Sequence, residues 1–88
     1  MEEKRKYPRT EIEKTAFVSS GGSVMRCVVR NISREGAAIE VENPAFVPQY
    51  FRLVMAEDSS IVHDCRIAWI RQNRIGLMFI DVAPAPQQ

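Results

Sequence analysis

The sequence predicts an all-β fold, a small six-stranded antiparallel β-barrel with a flexible N-terminal arm. Three observations carry that prediction. Apolar and polar residues alternate in short runs, turn-forming residues separate the runs, and no stretch holds a helical period. A chain of 88 residues has room for one core and one domain. Six short strands with no helix to cover them close best on themselves, because closure removes exposed sheet edges. The predicted organisation is an arm over residues 1–9, a barrel over residues 10–82 and a disordered tail over residues 83–88.

The elements follow in order. The stretch up to Arg9 is charged and without period, so it is assigned to the arm. Thr15 to Ser19 is the first strand, and Ser20-Gly21-Gly22 is a hairpin turn. Val24 to Arg30 alternates, with Met25, Cys27 and Val29 on one face and Arg26, Val28 and Arg30 on the other. A polar turn over Asn31 to Glu35 leads to Gly36, which opens a third strand. There Ala37, Ile39 and Val41 alternate with Ala38, Glu40 and Glu42.

Asn43-Pro44 and Pro48 mark the longest connection, and its prolines disfavour a helix. Tyr50 to Ala56 is the fourth strand, and Glu57 to Ser60 is its turn. Ile61 to Arg71 is the fifth, with Ile61, His63, Cys65, Ile67 and Trp69 on one face. Gln72-Asn73 turns the chain into the last strand, Arg74 to Asp81. Pro84 and Pro86 keep the tail out of any ladder. On this pattern Phe17, Phe51, Trp69 and Phe79 belong to the core.

Composition excludes several function classes. Twelve Lys and Arg against eleven Asp and Glu leave the charge near neutral, so any anion site is local. One local excess lies in residues 2–9, where Lys4, Arg5, Lys6 and Arg9 face only Glu2 and Glu3. A nucleic-acid polymer would call for a basic groove with exposed aromatics, which the pattern does not supply. Two Cys and one His are too few and too scattered for a zinc site, and no metal is expected. Cys27 and Cys65 are read as small buried hydrophobes in a reducing cytoplasm rather than as a bridge. No apolar run is long enough for membrane insertion. No acid/base pair or nucleophile constellation stands out, so no catalytic residue is assigned and an enzyme is not expected.

Two short motifs do point to chemistry. Arg5-Lys-Tyr-Pro-Arg9 sets two arginines four apart in a segment that Pro8 keeps extended. Asn31-Ile-Ser33-Arg-Glu-Gly36 supplies a side-chain acceptor, a hydroxyl and a glycine at a strand entrance. An arginine fork matches the O6 and N7 acceptors of guanine, and its charge suits a phosphodiester. Asn31 can accept from guanine N–H groups, and Ser33 can bond a phosphate oxygen or brace the turn. Gly36 leaves room for close approach or takes a φ that other residues avoid. The bland reading of each is a solvated arm and a strand-capping turn.

Together the motifs resemble the cyclic di-GMP site of the PilZ domain family, which reads Arg-x-x-x-Arg and then Asp/Asn-x-Ser-x-x-Gly. The resemblance runs over about residues 4–81. It includes Ala68-Trp69 and Arg74-Ile75-Gly76-Leu77-Met78-Phe79, similar to the strands that close the family's barrel. It implies that Arg5 and Arg9 clamp guanine and phosphate against Asn31, Ser33 and Gly36. Lys4 and Lys6 are further candidates, and so is Trp69 should its ring border the nucleotide. Asn31 stands where Asp is commoner, which keeps the acceptor and loses the charge.

The function implied is a bacterial, cytoplasmic second-messenger receptor. The arm would order on the nucleotide and present a new surface, in trans, to a protein effector that the sequence does not identify. The alternative is a ligand-independent adaptor of the same fold that binds protein alone. A barrel that binds single-stranded nucleic acid is the third reading, and the near-neutral charge disfavours it.

Overall fold

All six strands form in the computed structural model of the chain. They are β1 (Thr10–Ser20), β2 (Ser23–Ile32), β3 (Gly36–Glu40), β4 (Tyr50–Met55), β5 (Val62–Arg71) and β6 (Arg74–Phe79). The structure describes residues 10–80. Lys4, Arg5, Lys6 and Arg9, with the predicted arm and tail, lie outside the described residues. Every pairing is antiparallel, in the ring β1-β2-β3-β6-β5-β4, and β4 returns to β1 to close the barrel. The long link between β3 and β4 carries one 3-10 turn, Pro44–Phe46. Asn43 caps it by accepting the Ala45 N–H at 3.0 Å, and Pro44 sits where a first-turn N–H has no partner to lose.

The alternation read from the sequence sets the core. Cys27 and Val29 of β2, Ala37 and Ile39 of β3, Leu53 of β4 and Ile75 of β6 point inward and are buried. Ile12, Met25, Ile32 and Ile67 pack around them, partly buried. Against β6, His63 stacks on Phe79 with ring centroids 4.2 Å apart.

Four expectations need correction. The first strand begins at Thr10, five residues before Thr15: its ladder runs on to Thr10↔Ile32 through an irregularity between Glu11 and Lys14. Asn31 and Ile32 belong to β2 rather than to the turn, because each pairs with a neighbour on both sides. Trp69 is not core. Its side of β5 changes because the β5–β6 register shifts between Ile67, opposite Leu77, and Trp69, opposite Gly76, which leaves Ala68 as an extra residue. Trp69 is consequently 46% exposed. Phe17 also leaves the core pattern: Ala16 and Val18 on either side of it are buried, and Phe17 is half-buried on the other face.

Cys27 and Cys65 are free thiols, both buried. Burial pushes the Cys27 thiol up from its ordinary value near 9 to about 12. An unfolded chain releases that proton near 9, whereas the folded chain holds it. This contribution is fully present below pH 9 and is lost as the pH rises towards 12. Stability should therefore fall above pH 9, by at most about 1.4 kcal/mol per unit. Urea midpoints at about pH 8 and about pH 10.5, on either side of the ordinary thiol value, check this against Cys27→Ala, which should show the smaller drop.

Candidate ligand-binding face

The turn after β2 is built by its own side chains. The Ser33 N–H donates to the Gly36 carbonyl at 2.8 Å, closing the turn into β3. The Glu35 N–H donates to Ser33 Oγ at 3.2 Å, so the hydroxyl is already committed as an acceptor. Its proton points towards the Gly36 carbonyl at 3.5 Å, too long to hold it firmly. Ser33 thus braces the turn and keeps a donor for an incoming anion. Glu35 ties the turn to the far strand, its carbonyl accepting the Phe79 N–H at 2.8 Å.

Gly36 is required by its neighbours. Among the described residues, the glycines with positive φ are Gly21 and Gly22. At Gly36 a Cβ would overlap the backbone carbonyl of Leu77 on β6. Of the two roles considered for this glycine, close approach of another backbone is the one that applies.

Register then assembles a face across four strands. Asn31 lies opposite Ala38, Ala38 opposite Gly76, and Gly76 opposite Trp69. Directly opposed residues share a face. Because Ala37 and Ile39 are inward, Ala38 and the rest of this row are outward. With strands spaced about 4.8 Å, the row spans roughly 14 Å from Asn31 to Trp69. Its middle is low: Ala38 carries one methyl and Gly76 none. The Trp69 ring lies over Gly76, where a Cβ would overlap it. Ala38 and Gly76 are themselves buried, and the indole covers Gly76, so the face offers an amide at one end, the outer side of the indole across its middle and the Ser33 turn alongside.

Cations border this face. On one side Arg66 faces Met78, its guanidinium 3.0 Å from the thioether sulfur. On the other, Arg30 and Arg74 both reach Glu40, and the Arg71 guanidinium stands 6.0 Å from the Trp69 ring centroid. An aromatic platform with guanidinium groups around it suits a planar base attached to phosphate.

Of the candidate residues, Asn31, Ser33 and Gly36 meet at the mouth of β2 and β3, and Trp69 joins them through the register. Ala38 and Gly76 complete the row from positions outside both motifs. The signal for them was a pair of very small residues at outward strand positions, where polar side chains are the usual occupants. Among the described residues no group of three or more His, Cys, Asp or Glu is placed to hold a metal, and no helix is long and apolar enough to cross a membrane.

Comparison with known proteins agrees with this architecture. The family model for the PilZ domain matches residues 3–88. Among solved structures, the chain is similar to the PilZ domain with c-di-GMP of YcgR from Escherichia coli. That match has a TM-score of 0.72 at 18% identity, and it covers 93% of this chain and 82% of the other. Comparison with curated protein sequences finds no match.

Proposed function

The chain belongs to the PilZ domain family, and from that premise we propose that it is a receptor for cyclic di-GMP. The observation that carries the reading is the continuous outer face from Asn31 through Ala38 and Gly76 to Trp69. It lies beside the Ser33 turn and follows an Arg5-x-x-x-Arg9 segment in the sequence. In this reading a guanine stacks on the exposed side of the Trp69 ring, where the indole covers Gly76. Asn31 accepts from its N–H groups, and the Ser33 hydroxyl donates to a phosphate oxygen. Arg5 and Arg9 close from above, one fork on the guanine O6 and N7 edge and the other on phosphate. Lys4 and Lys6 add charge to the same segment.

The role is binding rather than catalysis, in the bacterial cytoplasm. The output is a contact with a protein effector, made when the arm, residues 1–9, closes over the nucleotide. Amide hydrogen exchange in that segment should slow on binding, whereas an adaptor that ignores the nucleotide would show no change. Titration calorimetry with cyclic di-GMP, against GTP and cyclic di-AMP, tests the receptor itself. Saturable heat with the guanine dinucleotide alone supports it; none from a folded protein sinks it.

Trp69 gives a second handle, because it is the one tryptophan in the chain. A base stacked on it should change its fluorescence on titration. Trp69→Ala should weaken binding by about 1–3 kcal/mol. Since the ring is half in solvent and outside the core, that variant should keep most of its thermal stability.

A further inference from the structure

A cleft of roughly 520 Å3 opens at the β5–β6 hairpin, next to the Trp69 end of the face. Its charged walls are Glu40, Arg71 and Arg74. The register explains why they meet: Glu40 lies opposite Arg74, and Arg74 opposite Arg71. This row is the next outward one after Ala38, Gly76 and Trp69, two residues along each strand.

The ion pairs here are of an exchangeable kind. Arg74 donates to Glu40 at 3.2 Å with both side chains 43% exposed. Arg30 reaches the other Glu40 oxygen at 3.9 Å and is shared with Glu13 at 3.5 Å. Half-exposed pairs of this geometry hold weakly, so a better anion can replace the carboxylate. Arg71 makes no ion pair among the described residues, and its guanidinium stands near the Trp69 ring. Two guanidinium groups against one carboxylate leave the cleft with a net positive charge.

We infer that this cleft is a phosphate subsite, with Arg71 and Arg74 as its donors and Glu40 as an internal counter-ion that the phosphate displaces. The inference rests on the reading of the face as a cyclic dinucleotide site. Such a ligand carries two phosphodiesters. With a base on Trp69, a phosphodiester joined to it comes within reach of this cleft, because the Arg71 guanidinium stands 6.0 Å from the indole centroid and Arg74 lies directly opposite Arg71. Glu40 then sets the affinity: it keeps Arg74 neutralised in the free protein and must give it up on binding.

The test is calorimetric titration with cyclic di-GMP of wild type, Arg71→Ala, Arg74→Ala, Glu40→Gln and Glu57→Gln, at low and at high salt. The expected result is binding about tenfold weaker in Arg71→Ala and in Arg74→Ala. Glu40→Gln should bind about threefold tighter at low salt, an advantage that shrinks as salt screens the carboxylate. Glu57→Gln makes the same charge change at a carboxylate that pairs with Lys14 and takes no part in the Glu40 network, and it should bind as wild type does. Unchanged binding in both arginine variants overturns the subsite. So does Glu40→Gln binding no tighter than wild type, or Glu57→Gln gaining as much. Wild type that binds no cyclic di-GMP overturns the receptor reading itself and the subsite with it. Matching thermal midpoints establish that each variant is folded.

Discussion

Arg5→Ala and Arg9→Ala proteins are each expected to fold like wild type and to bind cyclic di-GMP about 10-fold to 100-fold more weakly. This follows from what the ligand offers. Guanine presents two acceptors side by side, and a bidentate arginine pair is worth about 1–3 kcal/mol of discrimination. A phosphodiester adds a full charge, which favours a guanidinium over a neutral donor. Lysine keeps the charge and loses the fork, so Arg9→Lys should recover part of the affinity and little of the preference over cyclic di-AMP. Adenine replaces the O6 acceptor with an amino donor, and the fork then meets a hydrogen where it needs a lone pair. Calorimetry reads affinity, and a thermal melt reads folding. Variants that melt as wild type does and bind undiminished would remove Arg5 and Arg9 from the site. The face formed by Asn31, Ser33 and Trp69 would then have to hold the ligand without them.

The fold was legible wherever one strand carries its own signal. Met25, Cys27 and Val29 alternate cleanly and are inward, as are Ala37, Ile39 and Val41. Legibility failed where a bulge intervenes. Glu11, Glu13 and Lys14 mask the first half of β1, although Ile12 among them packs against the core. On β5 simple alternation carries the Cys65 face through to Trp69, but the extra residue at Ala68 turns the indole outward. A bulge is fixed by what barrel closure demands of the pairing, and that is a property of two strands rather than one. The candidate site divides along the same line. Asn31, Ser33 and Gly36 lie within six residues, at the end of β2, in the turn and at the start of β3, so spacing alone exposes them. Ala38, Gly76, Glu40 and Arg74 come from strands distant in sequence, and only the register brings them to that face.

Gly36→Ala is the second large effect, and it should damage fold and site together. The added methyl would overlap the Leu77 carbonyl, which is backbone and cannot swing aside as a side chain would. Either β3 moves away from β6 or the ladder opens at Gly36↔Met78. Crowding of this kind costs about 1–3 kcal/mol and more where the backbone must shift, so a loss of about 3 kcal/mol is expected. For a domain of this size that lowers the melting midpoint by more than about 10 °C. The displacement also reaches the turn, because the Gly36 carbonyl holds the Ser33 N–H and the Glu35 carbonyl holds the Phe79 N–H. Binding should therefore fall even at temperatures where the variant is folded. Gly21→Ala is the control. Gly21 has a φ of +55° and nothing within 4 Å of a modest added Cβ, so its cost is backbone strain of about 1 kcal/mol. It lies in the β1–β2 hairpin, away from the Asn31 row, and its affinity should match wild type. If Gly36→Ala melts with wild type, the contact between β3 and β6 is looser than described. If it melts early yet binds normally, the Ser33 turn is independent of the β6 ladder, and the face tolerates a shift at its edge.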